Sequence, residues 1–126
     1  MPDFATLQPA LLQGTLDVMV LAVLKHRHLH GYAIARQIER AAGGLLVIEE
    51  GSLYPCLKRL TKRGDLVAEA RVSDENRRMN VYRMTPQGRR RLKDQVALWR
   101  TVAAAVSRVI DDRPLTPVFS ADDPTE

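Results

Sequence analysis

Ser52, Tyr54, Lys58, Arg59 and Lys62 fall within one short stretch and together form the donor set that a polyanion calls for. Hydroxyls and helix N-termini donate to phosphate oxygens, and a lysine in the major groove of DNA finds guanine acceptors. The spacing puts them on a helix. Leu53, Leu57 and Leu60 recur at steps of four and three, which is one apolar stripe. At about 100° per residue, Lys58 and Lys62 point away from that stripe with Arg59 beside them. Ser52 reads as the N-cap, Pro55 as the third helical position, and Gly64 after Lys62-Arg63 as the stop. Glu49 and Glu50 suit the positive end of the helix dipole. Tyr54 lies at the side of the stripe, so a half-core role stays open beside a phosphate contact. Arg77 and Arg78, in the turn-rich run 73–80, suit neighbouring phosphates or a minor groove, or else stand as solvated turn arginines. The run Arg89-Arg90-Arg91-Lys93 is expected to make some phosphate contact at its start and otherwise to face water.

Other chemistries leave fainter traces. His26, His28 and His30 alternate, and imidazole is a common metal ligand, so a metal-responsive sensor is an alternative. Exposed turn histidines are commoner, and His30 can serve as a helix cap. Cys56 flanks the leucine stripe as a small core residue rather than a redox switch. There is no glycine-rich phosphate loop, no paired-carboxylate signature and no nucleophile with a base near it in sequence. The expectation is that the protein is not an enzyme and uses no cofactor. A winged helix that serves as a protein-interaction module without DNA is a further alternative. The basic front of the Ser52–Arg63 segment argues against it.

Charge is unevenly spread along the 126 residues. The net is +4, yet the stretch from Asp111 to Glu126 holds five acids and one base, leaving +8 on the first 110 residues. Between Lys58 and Lys93, twelve Lys or Arg face four Asp or Glu. That imbalance favours a polyanionic partner. The 45% hydrophobic and 27% charged content is that of one ordinary globular domain. A single cysteine excludes an internal disulfide and suits a reducing cytosol. The longest apolar run, Val18 to Leu24, is far too short to span a membrane, and Asp3 with no basic lead argues against a secretory signal. A soluble, cytoplasmic protein is expected.

The elements that position the basic stretch follow from periodicity. Residues 1–10 read as a loose arm. Leu12, Leu16, Met19, Val20, Val23 and Leu24 mark a first helix from Leu11 to about Lys25, and Gly31 to about Ala42 a second, with Tyr32, Ala35, Ile38 and Ala42 facing the core. After Gly64, the alternation of Leu66, Ala68, Ala70 and Val72 marks a half-buried strand. Val81 to Met84 returns from the 73–80 tip, with Tyr82 and Met84 inward. Thr85-Pro86 caps and starts a long helix to about Ile110. Along it Leu92, Val96, Trp99, Ala103, Val106 and Ile110 form a heptad seam suited to pairing with a second copy, to packing on the first helix, or to both. Residues 111–126 read as an acidic, disordered tail.

Three helices and a two-stranded wing, then a long helix, is a mainly α (α+β) winged helix-turn-helix arrangement. The domains are then 11–85 for DNA binding and 86–110 for dimerisation. At these residues the chain resembles the PadR-like transcriptional regulators. The matches are Gly14-Thr15-Leu16-Asp17, His30-Gly31-Tyr32, Gly51-Ser52-Leu53-Tyr54-Pro55 with Leu57 and Leu60, and Tyr82-Arg83-Met84-Thr85-Pro86-Gln87-Gly88. The resemblance covers about residues 11–110 and is closest to the short members. Met84 departs from the usual leucine, a volume-conserving change. The resemblance implies a homodimeric repressor of double-stranded DNA whose C-terminal helices build the dimer. Two-fold symmetry would match an inverted-repeat operator, with half-sites about one helical turn apart or a multiple of it. It also makes a small-molecule effector a candidate partner, with Trp99 either walling a cavity for a planar ligand, as in drug-responsive members, or anchoring the interface.

Overall fold

A computed structural model describes residues 9–113, with side chains from Gly14 onward. Its elements are α1 (Pro9–Val23), β1 (Leu29–His30), α2 (Gly31–Ala41), α3 (Glu50–Arg63), β2 (Leu66–Val72), β3 (Arg78–Met84) and α4 (Pro86–Ile110). This is the expected winged-helix order, mainly helical with one small sheet. Of the expected arm 1–10, residues 9 and 10 belong instead to α1, and residues 1–8 and most of the acidic tail lie outside the described residues.

The leucine stripe behaves as its spacing demands. Leu53, Leu57 and Leu60 of α3 are fully buried against Leu16, Val20 and Leu21 of α1 and Ile34 and Ile38 of α2. Each such side chain contributes roughly 1.5–3 kcal/mol relative to exposure. Two local readings need correction. The helix starts before Ser52: its N-cap is Glu49, which makes no side-chain capping bond, and Ser52 lies exposed in the first turn. Pro55 is accordingly inside the helix, where it removes the N–H that would have bonded Gly51. Both residues are exposed, so the freed carbonyl can turn to water. The stop at Gly64 is as expected, in the left-handed region at φ 91° with Asp65 N–H bonded back to the Leu60 carbonyl at 2.9 Å.

The sheet holds a third strand that the polar run 26–30 concealed. β1 pairs with β3 through Leu29 opposite Tyr82 and His30 opposite Val81, giving the antiparallel order β1-β3-β2. Two residues are too few to show an alternation, so neither strand nor register was readable there. Tyr82 and Met84 do point inward. On β2 only Leu66 is buried; Ala70 and Val72 of the same face are exposed, because the hairpin runs out past the helices as a wing. Tyr32 is also outside the core, 58% exposed, and its place on α2 is taken by Ile34.

Asp65 fixes α4 against the end of α3. Its carboxylate is completely buried and accepts from Gln87 Nε2 at 2.9 Å and Arg63 Nη2 at 3.0 Å, with Arg91 Nε at 2.8 Å. Burial pushes its pKa up, but donation from Gln87, Arg91 and Arg63 outweighs this and holds it below the usual carboxylate range. Thr85 caps α4 by accepting from Gly88 N–H at 3.0 Å, and its own hydroxyl donates to the Gly64 carbonyl at 2.6 Å. A Cβ at Gly88 would collide with the Asp65 carbonyl oxygen, so only glycine lets the two backbones approach this closely.

Leu92 is buried, and Val96 packs against the core along α1. Farther along, Leu98, Trp99, Val102, Val106, Val109 and Ile110 are exposed. Trp99, Val106 and Ile110 of the Leu92–Ile110 line are thus exposed, and the apolar face is broader than that line. Leu98, Val102 and Val109 lie to one side of it, by about 80–120° at 100° per residue.

Candidate nucleic-acid interface

The outer ridge of α3, opposite Leu53, Leu57 and Leu60, carries Lys58 and Lys62, both exposed. Neither has a carboxylate partner among the described residues. Arg59 differs. It lies on the α1 side, where its Nη2 donates to Asp17 Oδ1 at 2.5 Å, and Arg63 Nη2 stands 3.8 Å from the other Asp17 oxygen. Asp17 thus neutralises much of the charge on that flank, while Ser52 sits exposed on the same side. The sequence showed Asp17 in the Gly14–Asp17 motif but not that it faces α3.

Tyr54 turns the other way, toward α2 and the wing. Its ring rests on Gly31, where an added Cβ would come within 2.8 Å of Tyr54 Cε1. Tyr54 is half-exposed, so the core and surface readings each describe part of the ring. Beyond it, a cleft of about 470 Å³ separates α3 from the wing, lined among others by Tyr32, Tyr54, Ala70, Arg78 and Asn80. Alternation along β3 puts Arg78 and Asn80 on the face of Tyr82, past the point where the core ends. Small Ala70 across from Asn80 keeps the cleft open. Arg77 lies in the turn, held by its N–H to Ser73 Oγ at 3.1 Å, with Asn76 left-handed at φ 62°. Gly31 and Asn80 were missed as interface-shaping residues, because only the fold brings them to this edge.

Of the arginine run, Arg91 serves Asp65 and Arg89 Nη2 donates to the Lys25 carbonyl at 3.0 Å, while Arg90 faces water. His30 caps α2, its Nδ1 accepting from Ala33 N–H at 3.2 Å, and His26 and His28 are exposed. Among the described residues no three His, Cys, Asp or Glu side chains are grouped to hold a metal. Cys56 is buried and donates to Asp17 Oδ1 at 3.0 Å. Burial, with that hydrogen bond, pushes the thiol pKa well up, which keeps it protonated and unreactive. Trp99 is half-exposed on α4, away from the cleft. Among the described residues no helix is long and apolar enough to cross a membrane.

Comparison with known proteins agrees with this geometry. Residues 20–94 match the model of the transcriptional regulator PadR-like family. The transcriptional regulator Rv3488 of Mycobacterium tuberculosis is 38% identical over 77 residues, covering 59% of this chain and 68% of that protein. Among solved structures, a transcriptional regulator from Clostridium thermocellum superposes with a TM-score of 0.72 at 27% identity, covering 79% of this chain and 96% of that one. A PadR family transcriptional regulator from Eggerthella lenta gives 0.71 at 28% identity, covering 82% and 88%. The chain belongs to the PadR-like family of transcriptional regulators.

Proposed function

We propose that this regulator is a homodimeric repressor that holds an inverted-repeat operator with two copies of α3 and two wings. The observation that carries the reading is the contrast on α3. Arg59 and Arg63 are compensated by acids, whereas Lys58 and Lys62 have no carboxylate partner among the described residues and lie beside a wing tipped with Arg77 and Arg78. In this reading Lys58 reads base edges in the major groove, and Ser52, Tyr54 and Lys62 hold phosphates. Arg59 shapes the flank, and Arg77 and Arg78 grip the neighbouring backbone or minor groove. Residues 11–85 form the DNA-binding unit and 86–110 the dimerisation helix. The exposed apolar face of α4 supports the second role, since a stripe of that size facing water is unusual in a monomer. A small-molecule effector would act by changing the distance between the two α3 helices.

Selecting bound duplexes from a random pool tests this. The expected result is an enriched inverted repeat with half-sites about one helical turn apart or a multiple of it. Recovery of no motif, or of a single asymmetric site bound by one subunit, would overturn the proposal.

A further inference from the structure

Four cations lie on α3, and the fold treats Arg59 and Arg63 differently from Lys58 and Lys62. Arg63 is held mainly by the buried Asp65, with Nη2 at 3.0 Å and Nε at 3.2 Å from one carboxylate oxygen. Arg59 has a different anchor. Asp17 of α1 is the one carboxylate that meets it among the described residues, at 2.5 Å from Nη2. Only 16% of the Asp17 side chain is exposed, against 33% for Arg59. The guanidinium is therefore at the surface, but its charge is met from beneath. Cys56 donates to the same Asp17 oxygen at 3.0 Å, which helps to hold the carboxylate in place. Ser52, seven residues before Arg59, falls within about 20° of it around the helix. A phosphate held by Ser52 would thus pass beside a cation that is already taken.

We infer that Asp17 is a positioning residue that withholds Arg59 from the DNA backbone. Carboxylate and phosphate both draw charge-assisted donors from a guanidinium, so Asp17 competes with the duplex for Arg59. Asp17 has the advantage, because it is already fixed on α1 and needs no ordering at the moment of binding. It also sets a negative charge beside the path of the backbone. The consequence is that the hold on any duplex is weaker, and less steeply dependent on salt, by about one phosphate contact. Lys58 and Lys62, with no carboxylate partner among the described residues, supply the charge that the duplex meets. Arg63 stays out for a separate reason, since freeing it would require the joint at Asp65 to open. This role of Asp17 rests on the reading of α3 as the helix that meets DNA.

Fluorescence anisotropy of the full chain on a random-sequence duplex, across a salt series, tests this with three variants. Asp17→Asn removes the charge and keeps an oxygen acceptor for Cys56. It should bind about fivefold more tightly at about 0.15 M salt and steepen the slope of log affinity against log salt by about 0.9, the share of one phosphate. Asp17→Asn/Arg59→Gln, which removes both partners together, should return to the parent's slope. Asp112→Asn makes the same change of net charge past the far end of α4 and should leave the slope unchanged. The inference is overturned if Asp17→Asn binds as the parent does or more weakly, as a purely structural tie between α1 and α3 predicts. A double variant with a shallower slope than the parent overturns it too, because Arg59 would then already touch phosphate; this comparison does not depend on the single variant. An equal gain in Asp112→Asn would reduce the effect to net charge and overturn it as well. These outcomes leave the DNA reading standing, whereas a parent that binds no duplex at low salt removes that reading and this inference with it.

Discussion

At the scale of single residues, a charge matters by what already holds it. Lys58 and Arg59 are neighbours and look alike in sequence, yet Lys58 has no carboxylate partner among the described residues while Arg59 is anchored on Asp17. Replacing Lys58 by Ala should lower discrimination among operator variants by about 1–3 kcal/mol at one base position. Arg77→Ala should weaken all duplexes alike and reduce the slope of log affinity against log salt by about one. Binding measured on a panel of single-base operator variants separates the two, and identical profiles for both would sink this division of labour. Glycine is the other residue-scale lever. Gly88→Ala would press a methyl group onto the Asp65 carbonyl, a backbone atom that cannot swing aside, so a loss of about 1–3 kcal/mol or more is expected in thermal unfolding. Gly14→Ala, with open space around it, should cost little and serves as the control. Burial of leucines was readable from spacing, because periodicity reports a face. Pairing of Arg59 with Asp17 was not, because residues so far apart in the chain meet only through the packing of α1 on α3.

Elements were legible to the degree that their ends carry chemistry. α4 begins at Pro86 and ends at Ile110 as read, since Thr85 and Pro86 are an unambiguous start. α3 begins earlier than Ser52 suggested, because Glu49 with its extended backbone can end the preceding segment without any side-chain cap. β1 escaped notice, and the outer part of β2 was read as half-buried because alternation cannot say how far the helices reach beneath a strand. What the sequence concealed most fully is the joint between α3 and α4. Asp65, between Gly64 and Leu66, belongs to no apolar or basic pattern, yet it is buried and gathers Gln87, Arg63 and Arg91. Its depressed pKa makes a definite pH prediction. The unfolded chain protonates Asp65 near the ordinary value of about 3.9, before the folded chain does. Its contribution is therefore complete above that value and is lost as pH falls through the lower folded-state value. Asp65→Asn should cost roughly 2 kcal/mol at neutral pH, at the modest end for a broken buried pair because Arg63 and Arg91 still reach water. The deficit should begin to shrink in urea titrations below about pH 4, where the unfolded parent becomes neutral at this position, and vanish only as pH falls through the lower folded-state value. A deficit that stays constant down to strongly acid pH would mean that the carboxylate charge is not what joins the helices.

For the molecule as a whole, two faces divide the labour: a cationic edge made by α3 and the wing, and an apolar flank on the far part of α4. The first part of the heptad seam, Leu92 and Val96, is spent on the protein's own core. The remainder, joined by Leu98, Val102 and Val109, is what a second copy would cover. Because Leu98 and Val102 are exposed, Leu98→Glu/Val102→Glu should leave the single chain folded, with unchanged circular dichroism, while light scattering reports a monomer. The effect on DNA then follows from counterion release. Each neutralised phosphate contributes about −0.9 to the slope of log affinity against log salt. A dimer on two half-sites neutralises twice as many phosphates as one subunit on one, so the monomeric variant should show about half the parent's slope. Its affinity for the full operator should fall by about 10²–10⁴-fold, because the second half-site is no longer engaged at high effective concentration. A monomer that kept the parent's slope would mean that one subunit makes every phosphate contact, leaving two-fold symmetry no part in recognition.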